Sequence, residues 1–150
     1  MPRFTFTLES LLKYRRHRRD MVVNLLAQVL ADDRKLEQQQ HETEESRQSQ
    51  LHELKALSES GRVDVDKSAS RRYYAGILST MLASIGQNRK RIGEQIELCR
   101  KALTRADQDV KLLERLKEKQ QEEYDQDQER RASRDREEAW MAAHWAEFAP

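Results

Sequence analysis

From Leu8 to Leu36 the chain repeats in alternating steps of three and four: Leu8, Leu11, Arg15, Arg18, Val22, Leu25, Val29, Asp32, Leu36. Leu12, Met21, Leu26 and Leu30 widen the stripe. Such spacing places one row of side chains along one face of an α-helix. Residues 37–50, EQQQHETEESRQSQ, then carry no apolar side chain, and Leu51, Leu54 and Leu57 restore the pattern. Thr7 is the expected N-cap, with Leu8 at the first helical position and Glu9 in the first turn, where a carboxylate favours the helix dipole. Phe6 and Leu11 then take the positions of a hydrophobic staple. The first helix is predicted over about residues 8–59.

SESGRVDVDKS, residues 58–68, holds Gly61 and is the one convincing break, so a turn is expected at about 60–66. The second helix follows from about 67 to 145. Its stripe is expected to run Tyr74, Leu78, Met81, Ile85, Asn88, Ile92, Ile96, Cys99, Leu103, Ala106, Val110, Leu113. One extra step of four, between Ile92 and Ile96, reads as a stutter that relaxes supercoiling locally. Residues 117–138 are nearly all polar and read as a solvated single helix. In the closing AWMAAHWAEFAP, Trp140, Met141, His144, Trp145 and Phe148 fall toward one face.

Composition supports helices and little else. The chain is 37% charged and 37% hydrophobic, with four glycines and two prolines. Both prolines, Pro2 and Pro150, sit at the ends. Disorder is the competing reading of so polar a chain, and the periodicity of the apolar residues argues against it. The single cysteine, Cys99, excludes an intrachain disulfide framework and reads as a small core hydrophobe. No apolar run reaches the roughly 18 residues of a membrane span. The start lacks the apolar stretch of a signal peptide, so an intracellular protein is expected.

Charge sets the expected topology. Residues 1–20 hold six basic and two acidic side chains, residues 32–59 four and eight, residues 61–105 ten and four, and residues 107–138 eight and twelve. Folding the chain back about Gly61 lays each block beside one of opposite sign. A parallel dimer in register would set like against like. Each exposed pair contributes a few tenths of a kcal/mol, but a consistent sign over four blocks penalises the wrong arrangement. The expectation is an all-α fold, a long antiparallel two-helix coiled-coil hairpin forming one domain over 1–150 and existing as a monomer. Helix one would span roughly 75–80 Å and helix two about 120 Å at 1.5 Å per residue, so the C-terminal helix would overhang. Such a fold offers no concave pocket of the kind small-molecule sites need.

In that register the polar segment 37–50 faces roughly residues 77–90, where Ile77, Leu78, Met81, Leu82 and Ile85 are too many to bury against it. Either the register slides, or part of this surface awaits another protein, or these side chains pack on the aliphatic stems of Gln, Glu and Arg.

The opening FTFTLESLLKYRR, residues 4–16, resembles the Phe-x-Phe-x-Leu-x-x-Leu-Leu lead, followed by Arg, of the FliJ family of bacterial flagellar export proteins. YYAGILSTMLASIGQNRKRI, residues 73–92, resembles that family's Tyr-x-x-x-Leu/Ile…Ile-x-x-Gln…Ile segment. The resemblance covers the whole chain, and its specific parts are the phenylalanine lead and the Tyr74–Ile85–Gln87 segment. It implies a non-enzymatic, stalk-like antiparallel coiled coil of the flagellar type III export apparatus, cytoplasmic and peripheral to the membrane. The implied partners are the hexameric export ATPase, the cytoplasmic part of the membrane export gate, and export chaperones or substrates. By position, Ile77, Met81, Ser84 and Asn88 match the face the family uses on the gate. Phe4 and Phe6, with a collar of Arg15, Arg16, Arg18 and Arg19, would form the tip that enters the ATPase ring. A second reading pairs Arg15 to Arg19 with the acidic C-terminal helix. Trp140 and Trp145 form a possible docking tail, or a helix end packing on itself.

Other chemistries find little footing. RRHRR, residues 15–19, is basic enough to touch phosphates, but acidic blocks follow and the net charge is +1, so no nucleic-acid partner is expected. The amphipathic segment 11–30 could touch a membrane surface, and packing within the hairpin is the preferred role. His17, His41, His52 and His144 lack metal-ligand spacing among themselves or with Cys99. No nucleophile–base pair, phosphate loop or carboxylate dyad is legible. The expectation is no catalytic, cofactor or metal site. The alternative function is a generic coiled-coil spacer or dimerisation protein.

Overall fold

The computed structural model describes residues 2–62 and 64–149. Two α-helices, α1 (Glu9–Glu59) and α2 (Val65–Phe148), pack against each other, and there is no strand among the described residues. Strong helix formers fill both, and neither contains proline.

The helix ends follow local chemistry and shift three of the four predicted boundaries by one to three residues. The first helical bond at the start of α1 runs from the Leu12 N–H to the Leu8 carbonyl, 2.9 Å. Leu8 is therefore the cap position, one residue later than expected for Thr7; Phe6 then stands one residue ahead of the staple position, and it shares a core with Leu12 and not with Leu11. Leu11 is exposed. At the other end, Gly61 adopts φ 75°, the left-handed conformation that ends helices and favours glycine. The Ser60 hydroxyl donates to the Leu57 carbonyl at 2.8 Å. Asp64 caps α2: its Oδ1 accepts from the N–H groups of Asp66 (3.1 Å) and Lys67 (3.2 Å). That cap starts the helix at Val65, ahead of the expected 67.

The chain divides into two compact units, Met1–Arg19 with Arg105–Pro150, and Asp20–Thr104. In the first, Phe6 (7% exposed), Leu12 (0%), Val110 (0%) and Leu113 form a core, with Phe4 packed against it. Glu9 pairs with Lys117 at 2.8 Å, Arg15 with Asp109 at 3.1 Å and Arg16 with Glu114 at 3.1 Å. The Phe4 ring lies 5.6 Å from that of Tyr124, and the Tyr124 hydroxyl donates to the Pro2 carbonyl. Going up α1 means going down α2; Arg15–Asp109 and Arg16–Glu114 set basic α1 against acidic α2 as the charge blocks predict, while Glu9–Lys117 has the opposite polarity.

In the second unit Ala75, Leu78, Ile85, Ile96 and Cys99 are buried. Asp33 pairs with Arg89, and Glu53 with Arg71. Here too the two helices run in opposite senses, with acidic α1 side chains paired to basic α2 side chains.

The inward row of this unit corrects the predicted stripes. On α2 one row of shielded positions runs Ser68, Arg71, Ala75, Leu78, Leu82, Ile85, Arg89, Ile92, Ile96, Cys99 and Leu103, with Gly86 and Gly93 half-buried beside it. The row alternates by three and four without interruption, so there is no stutter. Tyr74, Met81 and Asn88 lie one residue off the seam and are exposed. On α1 the matching row is Val22, Leu26, Val29, Asp33, Leu36, Gln40, Thr43, Arg47, Gln50, Leu54 and Leu57, so Leu26 and Asp33 replace the expected Leu25 and Asp32. Apolar residues alone cannot reveal a seam whose members include Asp33, Gln40, Arg47, Gln50, Arg71 and Arg89.

Candidate partner-binding surfaces

The polar part of the Asp20–Thr104 unit is organised by Arg89. Its Nε donates to Asp33 Oδ1 (3.1 Å) and its Nη2 to Asp33 Oδ2 (3.2 Å), while Nη1 donates to Gln40 Oε1 (2.9 Å). This is the fork geometry that suits guanidinium to carboxylate. The hydrogen bond to Asp33 raises the Arg89 pKa above its ordinary value. Further along α1, Arg47 grips Glu44 through two bonds of 2.8 and 3.1 Å, which lowers the Glu44 pKa. Sequence reasoning missed Arg89, Asp33 and Gln40. The signal available was the three–four spacing itself, continued through charged positions.

With the seam so filled, the apolar excess on α2 sorts itself. Leu78 and Ile85 are buried and Leu82 is half-buried, while Ile77 (40% exposed) and Met81 (47%) stay outside. Ile77, Met81, Ser84 and Asn88 form one exposed row at helical spacing. Met81, Ser84 and Ile85 line a shallow groove with Gln39, Glu42 and Thr43 of α1. The arrangement offers a row of small and apolar side chains with polar groups beside it. A third helix could lie there.

The residues expected at the ATPase tip are placed unequally. Phe6 is a core residue, so its ring is not presented to a partner. Phe4 is half-buried between that core and Tyr124. Arg15 and Arg16 are engaged with Asp109 and Glu114, as the second reading of the collar has it, while Arg18 is exposed. Lys117 holds the Glu9 carboxylate below its usual pKa, chiefly through their hydrogen bond.

At the end of α2, Trp140, Met141 and Trp145 are exposed. His144 stacks on Trp140 with ring centroids 4.5 Å apart, and its Nδ1 lies 2.9 Å from the Trp140 carbonyl. The Phe148 side chain, expected on this face, lies outside the described residues. Among the described residues, no three His, Cys, Asp or Glu side chains converge to hold a metal ion, and no helix is long and apolar enough to cross a membrane. No family model matches the chain, and neither does any curated protein or solved structure.

Proposed function

We propose that this chain is a non-enzymatic, stalk-like antiparallel coiled coil of the flagellar type III export apparatus. It links the export ATPase ring to the membrane export gate and assists export substrates or their chaperones. It works at the cytoplasmic face of the membrane. The observation that carries the reading is the exposed row Ile77–Met81–Ser84–Asn88, which stays outside beside a fully formed seam. A purely structural helix pair has no need of it. The resemblance of the phenylalanine lead and of residues 73–92 to the FliJ family names the apparatus.

Two further features support the finer architecture. Steps of three and four average about 3.5 residues, the period that winds helices into a left-handed coiled coil. α2 has 84 residues against 51 in α1, enough for a C-terminal overhang.

Binding of the purified chain to the cognate flagellar ATPase and to the cytoplasmic part of the export gate tests the reading. Ile77→Glu with Met81→Glu is expected to abolish gate binding and leave ATPase binding intact. Arg18→Glu is the corresponding probe of the ATPase end. Deleting residues 1–20 is not a clean probe, because it removes Phe6 and Leu12 from their core. Absence of binding to both partners rejects the proposal in favour of a generic coiled-coil spacer.

A further inference from the structure

The seam of the Asp20–Thr104 unit is built in two ways. Away from the turn it is apolar on both sides, with Val22, Leu26 and Val29 on α1 and Ile92, Ile96, Cys99 and Leu103 on α2. Toward the turn it is not. The hydrogen bonds Arg89–Gln40 and Arg71–Gln50 fix which positions face each other. Counting in opposite directions from Gln50 and Arg71 sets Arg47 against Ala75, Thr43 against Leu78 and Gln40 against Leu82. Leu54 and Leu57, nearer the turn, have only Arg71 and Ser68 on the α2 row. Turnward of Leu36 and Ile85, no apolar seam position faces another.

Other features of the same stretch agree. Two shallow recesses flank it, one lined by Gln40, His41, Glu44 and Leu82, the other by Gln39, Thr43, Met81 and Ile85. Water therefore reaches the helix pair from both sides. Arg71 pairs with Glu53, but its buried Nε has no hydrogen-bond partner among the described residues, a deficit that works against closure. Segments with few apolar contacts open at lower free energy than the rest, and they open as cooperative units. A helix parted from its partner also loses the packing that supports it, so its backbone amides become exchangeable.

We propose that residues 40–59 of α1 and 65–82 of α2 form an arm that parts and recloses as one unit, while the pair beyond Leu36 and Ile85 stays shut. Arg89, reaching Asp33 and Gln40 at once, is the clasp at its root. Opening brings out Ala75 and Leu78, 7% and 4% exposed when shut, beside Ile77 and Met81. The apolar face on this part of α2 is thereby switched between a narrow and a wide form. The inference does not rest on the export reading, and its test involves no partner.

Thiol labelling of the full chain tests it. The native Cys99 (9% exposed) and a thiol placed by Ala75→Cys are about equally shielded in the closed pair, so a pair that never opens protects both alike. The arm predicts that position 75 reacts about tenfold faster or more, each rate being divided by that of the same thiol in the unfolded chain. Adding Thr43→Leu, which sets an apolar side chain against Leu78, should slow position 75 about fivefold and leave Cys99 unchanged. Hydrogen exchange of the wild-type chain, which needs no substitution, should show equally low protection over 41–57 and 67–82, with a step to high protection over 22–36 and 85–103. Equal labelling at 75 and 99 overturns the proposal, as does indifference of position 75 to Thr43→Leu. So does protection that rises steadily away from the turn without a step, which is fraying, and so does low protection confined to one of the two helices.

Discussion

Arg89 and Asp33 are joined by a two-pronged ion pair, with contacts of 3.1 and 3.2 Å, across positions that an apolar heptad would fill with leucine. Gln40 Oε1 accepts from the third guanidinium nitrogen, Nη1. A polar group at a seam position costs stability and fixes register, because sliding the helices separates the partners. Arg89→Ala is expected to lower the midpoint of thermal unfolding followed by circular dichroism. Replacing Arg89 and Asp33 together by leucine should raise the midpoint. It should also permit alternative registers, visible as cysteine cross-links between residue pairs that the native register keeps apart.

The core at Leu12 gives a second test. Its side chain is fully buried with Phe6, Val110 and Leu113. Leu12→Ala should cost about 2–5 kcal/mol in denaturant unfolding, the usual range for a buried leucine. Leu11→Ala, one residue away on an exposed face, should change little. Equal effects would contradict the placement of Leu12 in the core.

The turn can be tested by backbone chemistry alone. At Gly61 nothing lies within 4 Å of where a Cβ would stand, so any loss in Gly61→Ala comes from φ 75° and not from crowding. The expected cost is about 1 kcal/mol. Asp64→Ala removes the cap from Asp66 and Lys67 and should cost about 1 kcal/mol. Chemical denaturation of both variants checks this.

The Glu9–Lys117 pair carries a pH signature. The folded-state pKa of Glu9 lies below the ordinary 4.5, so its contribution is present above that value and fades as pH falls through the lowered one. Acid titration should weaken the wild type in that window, and Glu9→Gln should flatten the dependence. Carboxyl chemical shifts of Glu9 followed against pH give the same answer directly. A midpoint at or above 4.5 would show that the pair does not form.

The exposed row separates folding from recognition. Single changes of Ile77 or Met81 to glutamate should shift stability by about 0.5 kcal/mol or less, as surface substitutions do. Unfolding midpoints near wild type, combined with lost gate binding, would assign these side chains to recognition. A large stability loss would mean that they pack inward after all.

The sequence by itself determined the two helices, the break at Gly61 and the antiparallel sense within each compact unit. Helical period and turn chemistry are local, and alternating blocks of charge discriminate between arrangements however the details fall. It also marked the surplus of apolar residues around Met81. Only the tertiary structure decided which of two adjacent rows turns inward. An apolar count favours Tyr74, Met81 and Asn88, but the seam takes Ala75, Leu82 and Arg89, because Asp33 and Gln40 stand opposite to receive the arginine. It likewise decided that Phe6 is core and Leu12 its partner, since that depends on Val110 and Leu113, about a hundred residues away in the chain. A charge inside or outside is settled by the partner it meets, and periodicity within one helix carries no information about that partner.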